Sequence, residues 1–401
     1  MVVALALLVR LAAICAIFLA SLPVHDDQFL GAMSGDGAYA MSRALRSRDL
    51  QLGVPANKYD YVMVFDEYGR NSYVSFLTAA QLAFGPAPYG VRLINCVLFV
   101  AGALLLYRVT RDRLGPAPAM AGLAALLFLP TLFVWSISLL KESLYFVGTA
   151  LIFWAATVAL RRNVWRSRVY AVTAGLAGAF LIHDLRSGAV GLAALGLAAG
   201  LASYAIARVR RGVAIAAAAA AIGVAVLVAS PAAQRRVVGA LESTSKTHSG
   251  HVFTVGHAYK LLDEGFYFNP QTPAASTLTL TAGESARYVI RALISFAFVP
   301  APWQLASARE LAYLPEQLLW YVMLVLLPIG AVAGWRRDPL LTCLLLGYVL
   351  PTACVLALTN GNVGTLLRLR GLVTPYIVWV SAAGLWAVLQ ALAPRRIGTT
   401  A

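Results

Sequence analysis

The stretch Tyr288-Val289-Ile290-Arg291-Ala292-Leu293-Ile294-Ser295-Phe296-Ala297-Phe298-Val299-Pro300 decides how the whole chain is threaded. It is mostly apolar, yet an uninterrupted helix of this length rises only about 20 Å, short of the roughly 30 Å of a bilayer's hydrocarbon core. It then runs into Pro300-Ala301-Pro302-Trp303. Counted as a crossing, it would put Arg336 and Arg337 outside and reverse everything downstream. Counted as a re-entrant or interfacial helix, it leaves the basic clusters on one side of the membrane, as the positive-inside rule asks. The second reading is adopted.

The need for a membrane at all comes from composition. Of 401 residues, 60% are hydrophobic and 12% are charged, and mean hydropathy is +0.75. Soluble domains are about 45–50% apolar and about 25% charged, so a water-soluble globule is excluded. A disordered chain, collagen and a disulfide scaffold fail on the same arithmetic. The formal charge of +15 sits largely in short arginine clusters beside apolar segments. That is a topology signal rather than a nucleic-acid footprint. Cys15, Cys96, Cys343 and Cys354 lie far apart in apolar stretches and form no metal pattern.

The fold expected is an all-α, polytopic transmembrane bundle of about ten spans, a single transmembrane domain over 1–401. The spans are 2–22, 89–107, 117–134, 143–160, 169–182, 188–207, 212–230, 317–335, 340–358 and 372–393. Met1–Leu22 lacks a basic n-region and reads as an uncleaved first span. Clusters at Arg108/Arg111/Arg113, Arg161/Arg162/Arg166/Arg168, Arg208/Arg210/Arg211, Arg336/Arg337 and Arg395/Arg396 then all face the cytoplasm. Of the 17 acidic residues, only Asp112 and Asp338 share that side. Two large loops, 23–88 with juxtamembrane helices and 231–316 with the interfacial helix, face outward, so an active site would open there. The Ala214–Ala221 run predicts a tightly packed small-residue helix.

Four constellations could carry chemistry. Ser34-Gly35-Asp36-Gly37-Ala38-Tyr39 begins an amphipathic surface helix, with Ala38, Met41 and Leu45 on the apolar side and Arg43, Arg46 and Arg48 on the polar one. Asp36 reads equally as its N-cap or as a carboxylate held at the interface to deprotonate a hydroxyl. Asp66-Glu67, before Tyr68-Gly69, suits a metal, an auxiliary acid or sugar hydroxyls, or else a solvated loop. Lys141, Arg186, Arg368 and Arg370 are outward cations. Guanidinium groups bind phosphate through paired hydrogen bonds, while the plainer readings are snorkelling to headgroups and local Lys141/Glu142 and Asp184/Arg186 pairs. His248-Ser249-Gly250-His251 with His257 is weak metal spacing, so no metal ligands are assigned. Walker A, GxGxxG and GxSxG motifs are missing from the sequence.

These residues together resemble the C-type (GT-C) membrane glycosyltransferases of bacterial polysaccharide assembly. The likeness runs through Asp36-Gly37-Ala38-Tyr39, Tyr68-Gly69, Ser72–Gly85, Val91-Arg92-Leu93-Ile94-Asn95, Pro130, Trp135-Ser136, Lys141-Glu142-Ser143 and Gly361-Asn362-Val363-Gly364-Thr365…Arg368-Leu369-Arg370…Pro375. The resemblance implies a transferase in a bacterial inner or plasma membrane. It would move a hexosyl or pentosyl group from a polyprenyl-phosphate donor to a glycan or lipid-linked acceptor on the extracytoplasmic face. By position, Asp36 would be the base, Asp66 and Glu67 auxiliary acids, and Arg368 and Arg370, with Lys141 and Arg186, the donor-phosphate ligands. No fixed cofactor is implied; a divalent metal is allowed. The Asp66-Glu67 pair departs from a clear metal-binding motif, and no large soluble domain follows the last span. A polysaccharide polymerase or ligase would use the same groups. A lipid-linked-sugar transporter is disfavoured by spans with few ionisable groups besides Arg10, and a non-catalytic scaffold would tolerate loss of Asp36, Arg368 and Arg370.

Overall fold

Apolar runs punctuated by proline and glycine fold as helices throughout. A computed structural model of the chain describes residues 1–21, 35–186, 188–254, 256–267, 279–304 and 311–393. Among these residues there are seventeen α-helices, two single 3₁₀ turns and one isolated bridge, Ala258–Asn362. The chain divides into two compact units, Met1–Ala194 and Leu195–Ala401. Arg395 and Arg396, and residues 22–34 of the first outer loop, lie outside the described residues.

The first unit holds α1 (Val2–Ser21), α2 (Gly35–Gln51), α3 (Lys58–Phe65), α4 (Ser72–Phe84), α5 (Pro88–Leu114), α6 (Pro116–Phe128), α7 (Pro130–Ile137), α8 (Glu142–Arg161) and α9 (Trp165–Ile182). It ends within α10 (Ala189–Arg208). Proline at the first helical position starts α5, α6 and α7, where its missing N–H costs no intrahelical bond. Asn57 and Asn71 cap α3 and α4 through side-chain oxygens. α8 and α9 run antiparallel at close approach: a Cβ on Gly178 would lie 2.5 Å from the Gly148 carbonyl oxygen.

The expected span 117–134 is broken. α6 and α7 meet at a 60° bend because Leu129, ahead of Pro130, takes φ −59 and ψ 127, the extended geometry that proline imposes on its predecessor. The break strands carbonyls in the last turn of α6. Arg10, fully buried on α1, meets one of them: its Nη2 donates to Leu127 O at 2.7 Å and its Nε to Ser136 Oγ at 2.8 Å. Its guanidinium also lies over the Phe99 and Phe133 rings. An ionisable side chain in a span reads by default as functional; here it caps a broken helix.

The second unit contains α11 (Gly212–Ala229), α12 (Pro231–Val252), α13 (Ala282–Phe298), α14 (Leu314–Arg337), α15 (Pro339–Thr359), α16 (Val363–Arg370) and α17 (Thr374–Leu392). α14 and α17 pack tightly: a Cβ on Gly330 would fall within the Val380 carbonyl oxygen, and Ser381 Oγ donates to Met323 O at 2.8 Å.

Among the described residues eight helices are long and apolar enough to cross a membrane, or nine if the bent α6–α7 pair is one span. The remaining expected crossing, 169–182, forms within α9. That helix starts at Trp165 and takes in Arg166 and Arg168, which removes it from the eight. The Tyr288–Pro300 segment is also outside the count. Its helix, α13, begins six residues earlier at a Thr281/Glu284 capping box. It buries Ser285, Tyr288, Ala292 and Phe296 on one stripe and exposes Arg287 and Arg291 toward Asp263, the amphipathic pattern of an interfacial helix. The alanine run corrects its expectation. α11 is only 6% buried, so its small side chains do not draw a packed partner onto it.

Candidate functional site

α2 is amphipathic, but its faces are not those its sequence suggests. Arg43, expected on the polar side, is 2% exposed. Its guanidinium grips Asp66 with two bonds, Nη1–Oδ1 at 2.5 Å and Nη2–Oδ2 at 2.9 Å, and also donates to Met63 O and Tyr39 Oη. Asp66 closes the turn after α3, accepting the Gly69 N–H at 2.7 Å. The Arg43 guanidinium, followed by that amide, holds the Asp66 carboxyl below the usual carboxylate range. This clamp fixes α2 against the Asp66–Gly69 turn. Arg46 lies over Tyr59 and reaches Asp60 at 3.4 Å.

Asp36 is exposed in the first turn of α2. It stands inside the helix, not at the N-cap, where an acid still favours the positive end of the helix dipole. Seven residues from Arg43, it shares that residue's face about 10 Å along the axis. Glu67, beside the clamp, is exposed and makes no hydrogen bond or ion pair among the described residues. The two neighbouring acids therefore part company: Asp66 is bound into the structure and Glu67 faces outward.

Of the expected local pairs, Asp184/Arg186 is replaced. Glu142, 1% exposed, pairs with Arg186 at 2.9 Å. Asp184 instead accepts the N–H and hydroxyl of Ser72 at 2.9 and 3.1 Å, holding the start of α4 to the α9–α10 turn. Lys141 is half-buried at the head of α8. Beside it, buried Arg92 donates to Ile137 O at 2.8 Å, and Asn95 to Ser138 O and Leu140 O at 2.8 and 3.2 Å. The Val91–Asn95 motif thus satisfies the carbonyls of the α7–α8 turn. The Tyr73 hydroxyl faces Asn95, Glu142 and Arg92, and burial pushes its pKa up. Asp184, Arg186, Glu142, Lys141 and Tyr73 form one polar end of the first unit.

In the second unit, Arg368 and Arg370 do not make a guanidinium pair. Two residues apart on a helix, they point about 200° from one another. Arg370, 3% exposed, turns inward. It donates through Nε to Phe296 O at 2.9 Å, through Nη2 to Phe296 O and Val299 O at 2.5 Å each, and through Nη1 to Gln317 Oε1 at 2.9 Å. Trp320 Nε1 and Tyr321 Oη take Ala297 O and Phe298 O at 3.0 and 2.9 Å, so the last-turn carbonyls of α13 are accounted for. Burial lowers the Arg370 pKa to about 10, which leaves it charged at neutral pH. Arg368 is half-buried.

The histidines serve the end of α15. His248 Nδ1 lies 2.5 Å from Asn360 O and His251 Nδ1 lies 2.7 Å from Thr359 O. A carbonyl only accepts, so both Nδ1 atoms carry protons and cap that helix. His248 Nε2 then accepts from Tyr267 Oη at 2.9 Å, which itself accepts Leu261 and Leu262 N–H at 2.8 and 3.0 Å. Burial keeps His248 neutral, with a pKa near 4. Among the described residues no three His, Cys, Asp or Glu side chains gather as a metal site.

Sequence reasoning missed Arg43, Arg92, Asn95, Gln317 and Tyr267 as bearers of structure. Only the Tyr39/Arg43 spacing of four residues hinted at one of these contacts. No family model, no curated protein and no solved structure matches the chain.

Proposed function

We propose that the protein is a membrane glycosyltransferase of the C-type, moving a sugar from a polyprenyl-phosphate donor to an acceptor hydroxyl on the extracytoplasmic side. The observation that carries this reading is the exposed Asp36 at the head of α2, a helix that follows the first membrane span and is locked in place by the Arg43–Asp66 clamp. A base needs a fixed position, and the clamp supplies it.

In the proposed reaction Asp36 takes the acceptor hydroxyl proton while that oxygen forms a bond to the anomeric carbon. The bond from that carbon to the phosphate oxygen breaks with inversion, and the electron pair leaves on polyprenyl phosphate. Glu67, exposed beside the clamp, is assigned to acceptor hydroxyls. Asp66 acts by orienting Arg43 and α2, as a positioning residue. Charge on the leaving phosphate calls for cations; Lys141 and Arg186 in the first unit are assigned to it. In the second unit Arg370, engaged by the α13 carbonyls, gives up its phosphate-binding assignment.

The test is incubation of the purified protein in lipid nanodiscs with a panel of polyprenyl-phosphate sugars and glycan or lipid-linked acceptors, with products separated by mass. One donor should be consumed, and Asp36→Asn should slow its transfer by about 10²–10⁴-fold with an unchanged melting temperature. Transfer by Asp36→Asn at the native rate removes the base. Consumption of none of the donors removes the activity.

A further inference from the structure

The end of the first unit opposite Asp184, Arg186 and Glu142 holds a cavity of about 550 Å³ between the last turns of α5 and α8 and the start of α9. Arg108, Arg113, Arg161 and Arg162 line it from two helices, against one acid, Asp112. Arg92 and Arg108 stand sixteen residues apart on α5, about 24 Å of helix, and Glu142 and Arg161 about 28 Å apart on α8. The two polar ends are therefore separated by about one hydrocarbon thickness. By the positive-inside rule the arginine-rich end is cytoplasmic.

The walls are as informative as the charge. Trp154 and Tyr170 line the cavity, and amphipathic aromatics favour the headgroup level of a bilayer. Val169, Val172, Leu176 and Phe180 are exposed as an apolar row on another face of α9, about a quarter-turn or more around the helix from Tyr170. A soluble anion would use the guanidinium groups alone. A lipid would use the aromatic walls as well, its phosphate among the arginines and the rest of its headgroup region against Trp154 and Tyr170.

We propose that this cavity binds the phosphate of an anionic lipid headgroup from the cytoplasmic leaflet, at a site distinct from Asp36 and independent of the transferase reading. Basic pockets between helices at this face suit such headgroups. Arg108 and Arg162 are exposed, so their removal does not take a buried charge out of the fold.

The test is lipid retention by native mass spectrometry of the purified full chain, titrated with phosphatidylglycerol and, separately, phosphatidylcholine. Phosphatidylglycerol should be held preferentially, and Arg108→Ala with Arg162→Ala should weaken its binding about thirtyfold, two interfacial arginines' worth. Arg111→Ala with Arg166→Ala removes as much charge from the same end but outside the cavity lining, and should leave retention near the native level. Equal retention of the two lipids, or equal loss in the two double variants, overturns the site. Displacement of phosphatidylglycerol by millimolar inorganic phosphate or glycerol 3-phosphate overturns the lipid as its ligand and points to a soluble phosphate ester.

Discussion

Acidification should loosen the second unit through one side chain, His248. Its ring is fully buried, donating from Nδ1 to Asn360 O and accepting at Nε2 from Tyr267. A second proton would turn Nε2 into a donor facing a hydroxyl oxygen that already accepts two backbone N–H groups. Desolvation drives the pKa from 6.5 down to about 4. As pH falls below 6.5 the unfolded chain takes up this proton first, so stability present above 6.5 declines through the interval and is gone below about 4. At roughly 1.36 kcal/mol per pH decade the loss amounts to about 3 kcal/mol. The assay is amide hydrogen exchange at Leu261 and Leu262, corrected for intrinsic rates, in nanodiscs between pH 7 and pH 4. Carboxylates titrate over part of that range, so His248→Gln is the control: its opening free energy should change far less with pH than the native chain's. Identical pH dependence in the two proteins would refute the neutral, buried histidine.

Other expectations follow from contacts that cannot be rearranged cheaply. Arg370→Met should destabilise the second unit by about 3–5 kcal/mol, because the α13 carbonyls lose their charged donor in a buried setting; thermal unfolding in detergent reads this, and a change below 1 kcal/mol would contradict the capping role. Arg370→Lys should recover only part of the loss, since an ammonium cannot reproduce a planar fork of bonds. Gly330→Ala drives a methyl group into the Val380 carbonyl and should cost about 1–3 kcal/mol, measured as a shift in the unfolding midpoint; an unchanged midpoint would mean that α14 and α17 are not in contact there. Arg10→Leu should lower stability by several kcal/mol through the exposed α6 carbonyls, and exchange at residues 126–131 should rise first.

Composition was sufficient to specify a helical membrane protein, because a chain so poor in charge has no soluble core-and-surface partition and must satisfy its backbone within helices. Proline and glycine positions marked most helix boundaries, and the Asp36 segment was legible as an amphipathic helix because that pattern is local. What each charged residue does was not legible. Arg10, Arg43, Arg92 and Arg370 look alike in sequence, yet each is buried and bonded to a carbonyl or carboxylate 20 or more positions away. Their partners are helix ends and turns, whose acceptors become available only after the bundle packs and a helix breaks or stops. Arg186 pairs with Glu142, 44 positions away, and not with nearby Asp184, for the same reason. Charge pairing is a property of three-dimensional neighbours in a low-dielectric interior, and the order of residues along the chain does not encode which ends of which helices will meet.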